Sequence, residues 1–342
     1  MKLILKSFAG LVALALSAGA SAAAESASKF EELVRQFDYD RNAPLNLKEE
    51  KTEQRDGVKI IELSYDSPRG GRVPATLVLP EGKGPFAAIV FGHWMMPKSP
   101  VRNRKEFLEE AILFARNGAA ALLTDAPLVR PGFVPDNQGL RGQVQNAEAS
   151  RQQVIDFRRG LDLLSARKDI DAARIAYVGH SYNAHTGGIL AGVEKRISAF
   201  VLMAGVFADE EFVFNSKLPA IGEFRRREGD QPLRDFFRQY AFDDPVYFIG
   251  QSAPAAVFLQ FGRKDEGIPE NFARGYFERF AEPKKMEFYD AGHALNREAR
   301  EERVEWLVER LKLKKIEREA IERVSDLGGG EEEEEEKEKE GR

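Results

Sequence analysis

The segment Ile175-Ala176-Tyr177-Val178-Gly179-His180-Ser181-Tyr182-Asn183-Ala184-His185 decides how this chain folds. An apolar run enters Gly-x-Ser, and a stretch rich in small residues, including Gly187-Gly188, follows with almost no loop. A serine at the apex of so sharp a strand-to-helix turn has an exposed hydroxyl. The first backbone N–H groups of the new helix then face whatever that oxygen attacks. A serine hydroxyl alone is a weak nucleophile, so it needs a base, and the base needs a group to orient it.

Both are available downstream. His293, in Asp290-Ala291-Gly292-His293-Ala294, sits in a glycine-containing loop between a strand and the final helix. A neutral imidazole there accepts the serine proton and later returns it to the leaving group. Asp265, in Phe261-Gly262-Arg263-Lys264-Asp265, follows a strand and suits a buried carboxylate that orients His293. Glu266, Asp290 and Asp125 compete for that role. Asp125 reads better as a structural acceptor. For the oxyanion, the N–H of Tyr182 is the natural first donor. The second is expected from Trp94 or Met95, in the turn after the apolar run Phe86 to Phe91. The other histidines fit the base role less well. His180 is turned away from the serine by the elbow, His185 lies inside the next helix, and His93 ends a strand. No metal is expected, because His180 and His185 are five residues apart, which suits no helical ligand pair.

Working outward, Val58 to Tyr65 and Arg72 to Leu79 flank the turn Asp66-Ser67-Pro68-Arg69-Gly70-Gly71 as a hairpin. Phe86 to Phe91, Ala119 to Leu123, Ile175 to Val178, Ala199 to Met203, Ala255 to Gln260 and Met286 to Tyr289 read as strands. Helices are expected at Lys29 to Phe37, at Phe107 to Ala115, around Val154 to Leu164, near Phe272 to Phe280 and across Val304 to Leu311. Alternation of this kind gives an α/β fold, a mostly parallel central sheet with helices on both faces and the hairpin as its antiparallel edge. Two stretches break the rhythm. Pro131 to Asn146 reads as a long polar loop. Asp209 to Pro245, with Phe212, Phe214, Phe224, Phe236 and Phe237, reads as a helical cap inserted at the carboxyl edge of the sheet.

With 342 residues and 43% hydrophobic content, one large domain can bury a substantial core. The net charge of −5 resides in Glu331–Arg342, where eight Glu face Lys337, Lys339 and Arg342. The remainder is neutral, which gives no footprint for nucleic acid or an anionic membrane. Lys2 and Lys6, the apolar Phe8 to Leu16 and the small residues Ala20 to Ala24 read as a cleaved export signal, too short for a membrane anchor. The expected organisation is a signal peptide over 1–24 and an N-terminal helical extension over 25–56. The main domain follows over 57–320 with a cap at about 209–245, and a disordered acidic tail over 321–342. There is no cysteine, hence no disulfide.

From Val58 to about Leu313 the chain resembles the dienelactone hydrolase-like branch of the α/β-hydrolases. The likeness rests on the hairpin ending in Leu79-Pro80-Glu81-Gly82, on Asp171-Ala172-Ala173-Arg174-Ile175 before the elbow, on Gly262-x-x-Asp265 and on Gly292-His293. The order Ser, Asp, His is also that of these hydrolases. Dienelactone hydrolases proper use a cysteine where this chain has Ser181. Acetyl-xylan-type esterases and the catalytic domains of prolyl-oligopeptidase-like peptidases share the serine version. The resemblance implies a serine hydrolase of small carboxylic esters, acting through Ser181, Asp265 and His293 without a cofactor, and the expected export signal implies a periplasmic or extracellular location. The alternatives are a peptidase or amidase with the same machinery, and a binding protein that keeps the fold without turnover.

Overall fold

A computed structural model describes residues 27–324. The expected signal peptide and the Glu-rich tail beyond residue 324 lie outside the described residues. The chain divides after Asp38. In the first part, residues 27–34 form helix α1, followed by a 3-10 turn at Arg35–Phe37.

From Tyr39 onward the core is a nine-stranded sheet with strands β1 (Lys48–Arg55), β2 (Val58–Asp66), β3 (Arg72–Pro80), β4 (Phe86–Gly92), β5 (Ala119–Thr124), β6 (Ile170–His180), β7 (Ala199–Met203), β8 (Ala256–Gly262) and β9 (Lys284–Tyr289). Their spatial order is β1-β2-β3-β5-β4-β6-β7-β8-β9. The first three strands and the β3–β5 pair are antiparallel, and every pair from β5 to β9 is parallel. Strands β4, β5, β7 and β8 are apolar because both faces are covered, whereas the edge strand β9, KKMEFY, is half-buried. Ile89, Phe91, Ala121, Leu123 and Val178 meet α2 (Leu108–Arg116), α9 (Arg297–Leu311) and α10 (Arg318–Glu322). On the other face lie α3 (Gly139–Ser165) and α4 (Tyr182–Val193), where Phe157 meets Tyr177 edge-on. Between α9 and α2, the buried Arg303 donates to both carboxylate oxygens of Glu110, at 3.0 and 2.6 Å.

The insertion from Asp209, expected as a cap, is helical. It comprises α5 (Asp209–Asn215), α6 (Pro219–Glu228) and α7 (Asp230–Gln239), followed by 3-10 turns as far as Gln251. Its rings pack largely on one another: Phe236 stacks on Tyr240, and Phe237 meets Phe214 and Phe236 edge-on. Phe212 packs instead on Phe272 of α8 (Glu270–Arg279).

Three boundaries differ from the sequence reading. The extension over 25–56 is not wholly helical, because Lys48–Arg55 forms edge strand β1. Its sequence KEEKTEQR is exposed and lacks apolar alternation, and a charged edge of this kind resists pairing with another chain. The loop from Pro131 ends early, because α3 already begins at Gly139. The tail does not begin at 321, since Ile321 is buried against the α2/α9 core. Ile321→Ala is therefore expected to lower unfolding free energy by about 2–5 kcal/mol, read from the urea midpoint. A change below about 0.5 kcal/mol is the outcome for a residue in a solvated tail.

Candidate active site

The carboxyl ends of β4, β6, β8 and β9 converge on one edge of the sheet, where open α/β sheets bind ligands. At the end of β6, Ser181 has φ 53° and ψ −110°, a left-handed conformation that a non-glycine residue adopts only when its surroundings enforce it. The enforcing contacts are local. Ser181 N–H donates to Met203 O of β7 at 2.8 Å, and Ser181 O accepts from Ala184 and His185 N–H as α4 begins. A Cβ on Gly179 would lie 2.2 Å from Asn183 O, and one on Gly92 would lie 2.6 Å from the Asn183 Cβ. Glycine at both places lets the elbow close.

The three residues predicted to act together are together. His293 Nε2 is 2.8 Å from Ser181 Oγ, and His293 Nδ1 is 2.7 Å from Asp265 Oδ2. A carboxylate only accepts, so Nδ1 carries the hydrogen and Nε2 presents its lone pair to the serine O–H. Asp265 is buried. Burial works to raise its pKa, but the His293 hydrogen bond and charge and the Gly267 and Ile268 N–H groups outweigh it. The carboxyl is thus held below its ordinary value. The competing acids are elsewhere. Glu266 is exposed, Asp290 pairs with Lys264 at the surface, and Asp125 binds the Arg104 backbone and guanidinium.

The oxyanion expectation is corrected at one residue. Trp94 N–H donates to Glu106 Oε2, so it has no free hydrogen for a substrate oxygen, and its indole is buried against His180. Among the described residues, the N–H groups of Tyr182 and Met95 have no hydrogen-bond partner. Asn183, two residues after the serine where a small residue is usual in such an elbow, has a structural role. Its Nδ2 donates to His93 O at 2.6 Å, which ties the Trp94–Met95 turn to the elbow. His93 accepts from Ala126 N–H at Nε2 and faces Trp94 O through Nδ1, a buried structural histidine whose pKa burial lowers.

A second cluster was invisible in sequence because the fold assembles it from the helix and the cap. His185 Nε2 is 2.8 Å from Asp209 Oδ2, and Asp243 brings a carboxylate oxygen within 4.8 Å of both. One imidazole and two carboxylates are a donor set that could hold a cation. Two of the three are pushed towards their protonated forms. Burial works to lower the His185 pKa, but the attraction of Asp209, its hydrogen bond and the charges of Asp243 and Asp244 carry it up to about 9. Burial, together with the Asp209 charge, pushes Asp243 up to about 8 and Asp244 up to about 7. The cluster lies one helical turn after Ser181 and fastens the start of α5 to α4.

Sequence reasoning also missed Glu106. It lies in the charged run Arg102-Asn103-Arg104-Lys105-Glu106, and nothing there reveals that its carboxylate turns inward.

No protein-family model matches the sequence, and neither does any curated protein. Solved structures do match in fold. An acetyl xylan esterase from Paenibacillus sp. R4 superposes with a TM-score of 0.65 at 20% identity, over 83% of this chain and 92% of that one. Acetyl xylan esterase 1 from Thermoanaerobacterium sp. JW/SL YS485 gives 0.66 at 16% identity, over 82% and 93%. A cold-adapted esterase from an Arctic intertidal metagenomic library gives 0.55 at 18% identity, over 78% and 100%. At such identities the likeness speaks to the fold.

The raised His185 and Asp243 set a pH dependence. A raised His185 contributes stability that is complete below its ordinary 6.5 and is lost as pH rises through about 9. Folded Asp243 keeps a proton up to about 8 that the unfolded chain releases near 3.8, so its contribution also falls as pH rises. Unfolding free energy is expected to decrease from about pH 6 to about pH 9. Asp243→Asn should flatten that slope in urea titrations at several pH values. An unchanged slope means the proton is held elsewhere.

Proposed function

We propose that this chain, an α/β-hydrolase by fold, is a serine hydrolase of carboxylic esters in which Ser181, His293 and Asp265 act as nucleophile, base and orienting acid. The observation that carries this reading is the continuous relay from Asp265 through His293 to Ser181, with both links at hydrogen-bond distance. It stands on a strained elbow whose emerging helix offers an unengaged N–H at Tyr182. The likeness in fold to acetyl xylan esterases and other esterases supports the same reading. The order of motifs supports a place near the dienelactone hydrolase-like branch.

In this reading Ser181 Oγ attacks the ester carbonyl carbon as His293 Nε2 takes the hydroxyl proton. Asp265 keeps the Nδ1 hydrogen in place and stabilises the imidazolium. The tetrahedral oxyanion rests on the N–H groups of Tyr182 and Met95. Collapse breaks the ester C–O bond, and the alcohol leaves with the proton from His293. A water deprotonated by His293 then attacks the acyl-Ser181 ester, and the acid leaves as the serine regains its proton. The cap, anchored beside α4 through Asp209 and His185, covers the site and limits the acyl group. The N-terminal sequence supports export to the periplasm or beyond, where small esters would be the substrates.

Ser181→Ala should abolish covalent labelling by a fluorophosphonate and lower kcat on p-nitrophenyl acetate by on the order of 10⁴-fold, with the thermal midpoint nearly unchanged. Parent-like turnover in that variant removes the nucleophile assignment. Asp265→Asn should lose most activity, because an amide cannot hold the His293 tautomer as a carboxylate does. Glu266→Gln and Asp125→Asn should retain more.

A further inference from the structure

The charged turn before α2 and the residue preceding the nucleophile make a second hydrogen-bonded chain beside the first. Glu106 accepts twice, from Trp94 N–H through Oε2 and from His180 Nδ1 through Oε1 at 2.6 Å. The other ring nitrogen of His180, Nε2, lies 2.9 Å from the backbone oxygen of His293. The His180 ring is stacked between two others. Trp94 lies on one side, with centroids 5.0 Å apart and planes at 22°, and His293 is 5.5 Å away at 26°. The His180 side chain is 2% exposed and that of Glu106 is 11%.

We infer that Glu106 and His180 are positioning residues that hold the Met95 side of the oxyanion site and the His293 loop in one fixed geometry. The inference rests on the proposed hydrolytic reading and deepens it. Both of its ends bear on reacting groups. Holding Trp94 N–H fixes the His93–Trp94 peptide, one residue before the peptide that carries the Met95 N–H, the second donor in the proposed mechanism. Holding the carbonyl of His293 fixes the backbone from which the base projects. That loop is a tight turn, with Leu295 N–H bonded to Gly292 O at 3.2 Å and Leu295 at φ 63°, so a shift of its peptide would displace the imidazole.

Satisfiability explains why these residue types are needed. Trp94 N–H and His180 Nδ1–H both need an acceptor, and a carboxylate of this length provides one to each. Glutamine has a single acceptor oxygen, so its NH₂ would confront one of the two donors. On the other side, both His180 nitrogens face oxygen acceptors. The His293 carbonyl only accepts, so Nε2 carries a hydrogen, and a hydrogen between Nδ1 and Glu106 Oε1 closes the pair. Side chains locked in this way give the preorganised donors that a developing oxyanion requires.

The test compares Glu106→Gln, His180→Gln, His180→Phe and the double variant Glu106→Gln/His180→Gln with the parent and with Ser181→Ala, on p-nitrophenyl acetate. His180→Phe keeps a ring in the stack and removes both hydrogen bonds. The expected result is a fall in kcat of on the order of 10²-fold in each single variant, with KM little changed, as for a misplacement of about 1 Å. The double variant should be no worse than either single one, because the pair acts as a unit. In ¹⁵N-histidine spectra of the folded parent, the His180 ring should show Nε2 carrying a hydrogen, assigned by its loss in His180→Phe. Parent-like kcat in His180→Phe, additive losses in the double variant, or a His180 ring with Nε2 bare overturns the inference. If Glu106→Gln fails to fold, the kinetics of His180→Phe and the parent spectrum still decide. An active Ser181→Ala would remove the hydrolytic reading itself. A dead Ser181→Ala beside fully active Glu106 and His180 variants would remove only the second chain.

Discussion

The backbone of Ser181 is the constraint on which the site depends. A residue with a side chain at φ 53° costs on the order of 1–3 kcal/mol, and the surrounding sheet must hold it there. It is held by Met203 O on β7, by the helix that starts at Tyr182, and by the absence of side chains at Gly179 and Gly92. The same geometry that strains the serine exposes its hydroxyl at the carboxyl edge of β6. Strain and function thus share one residue, and the apolar parallel strands on either side supply the rigidity that sustains both.

Around that point the polar side chains are arranged in pairs with little redundancy. Asp265 orients His293 from the β8 side. Glu106 and His180 meet the Trp94 peptide and the His293 peptide from the β4 side. Asn183 binds His93 O and so joins the elbow to the same turn. Each of these groups is largely buried, where an unmet donor or acceptor costs more than it does in water. The network therefore holds one arrangement, and the loops after β4 and β9 are placed by hydrogen bonds more than by their own propensities.

Much of this was legible in the order of residues. The buried strands read clearly because a strand covered on both faces must be apolar along its length, as Ala119–Thr124 and Ala199–Met203 are. Ser181 and Asp265 read clearly because each follows a strand with a buried apolar end, and His293 because it sits in a glycine-containing loop between a strand and the final helix. Strand β1 did not, because an exposed, charged edge has no apolar period to detect. Glu106 did not, because its burial is created by a turn that folds a charged run inward. The His185 cluster did not, because Asp209 and Asp243 reach it only after the cap has folded back on α4. Trp94 was misassigned for a related reason: a free N–H and one held by a distant carboxylate look the same in sequence.

The most direct test is a crystal structure of the protein after reaction with a small fluorophosphonate. The phosphorus should be bonded to Ser181 Oγ, with its phosphoryl oxygen accepting hydrogen bonds from the N–H groups of Tyr182 and Met95, and Trp94 N–H still on Glu106. An adduct on another residue, or a phosphoryl oxygen turned away from both N–H groups, would contradict the assignment of this elbow as the catalytic centre.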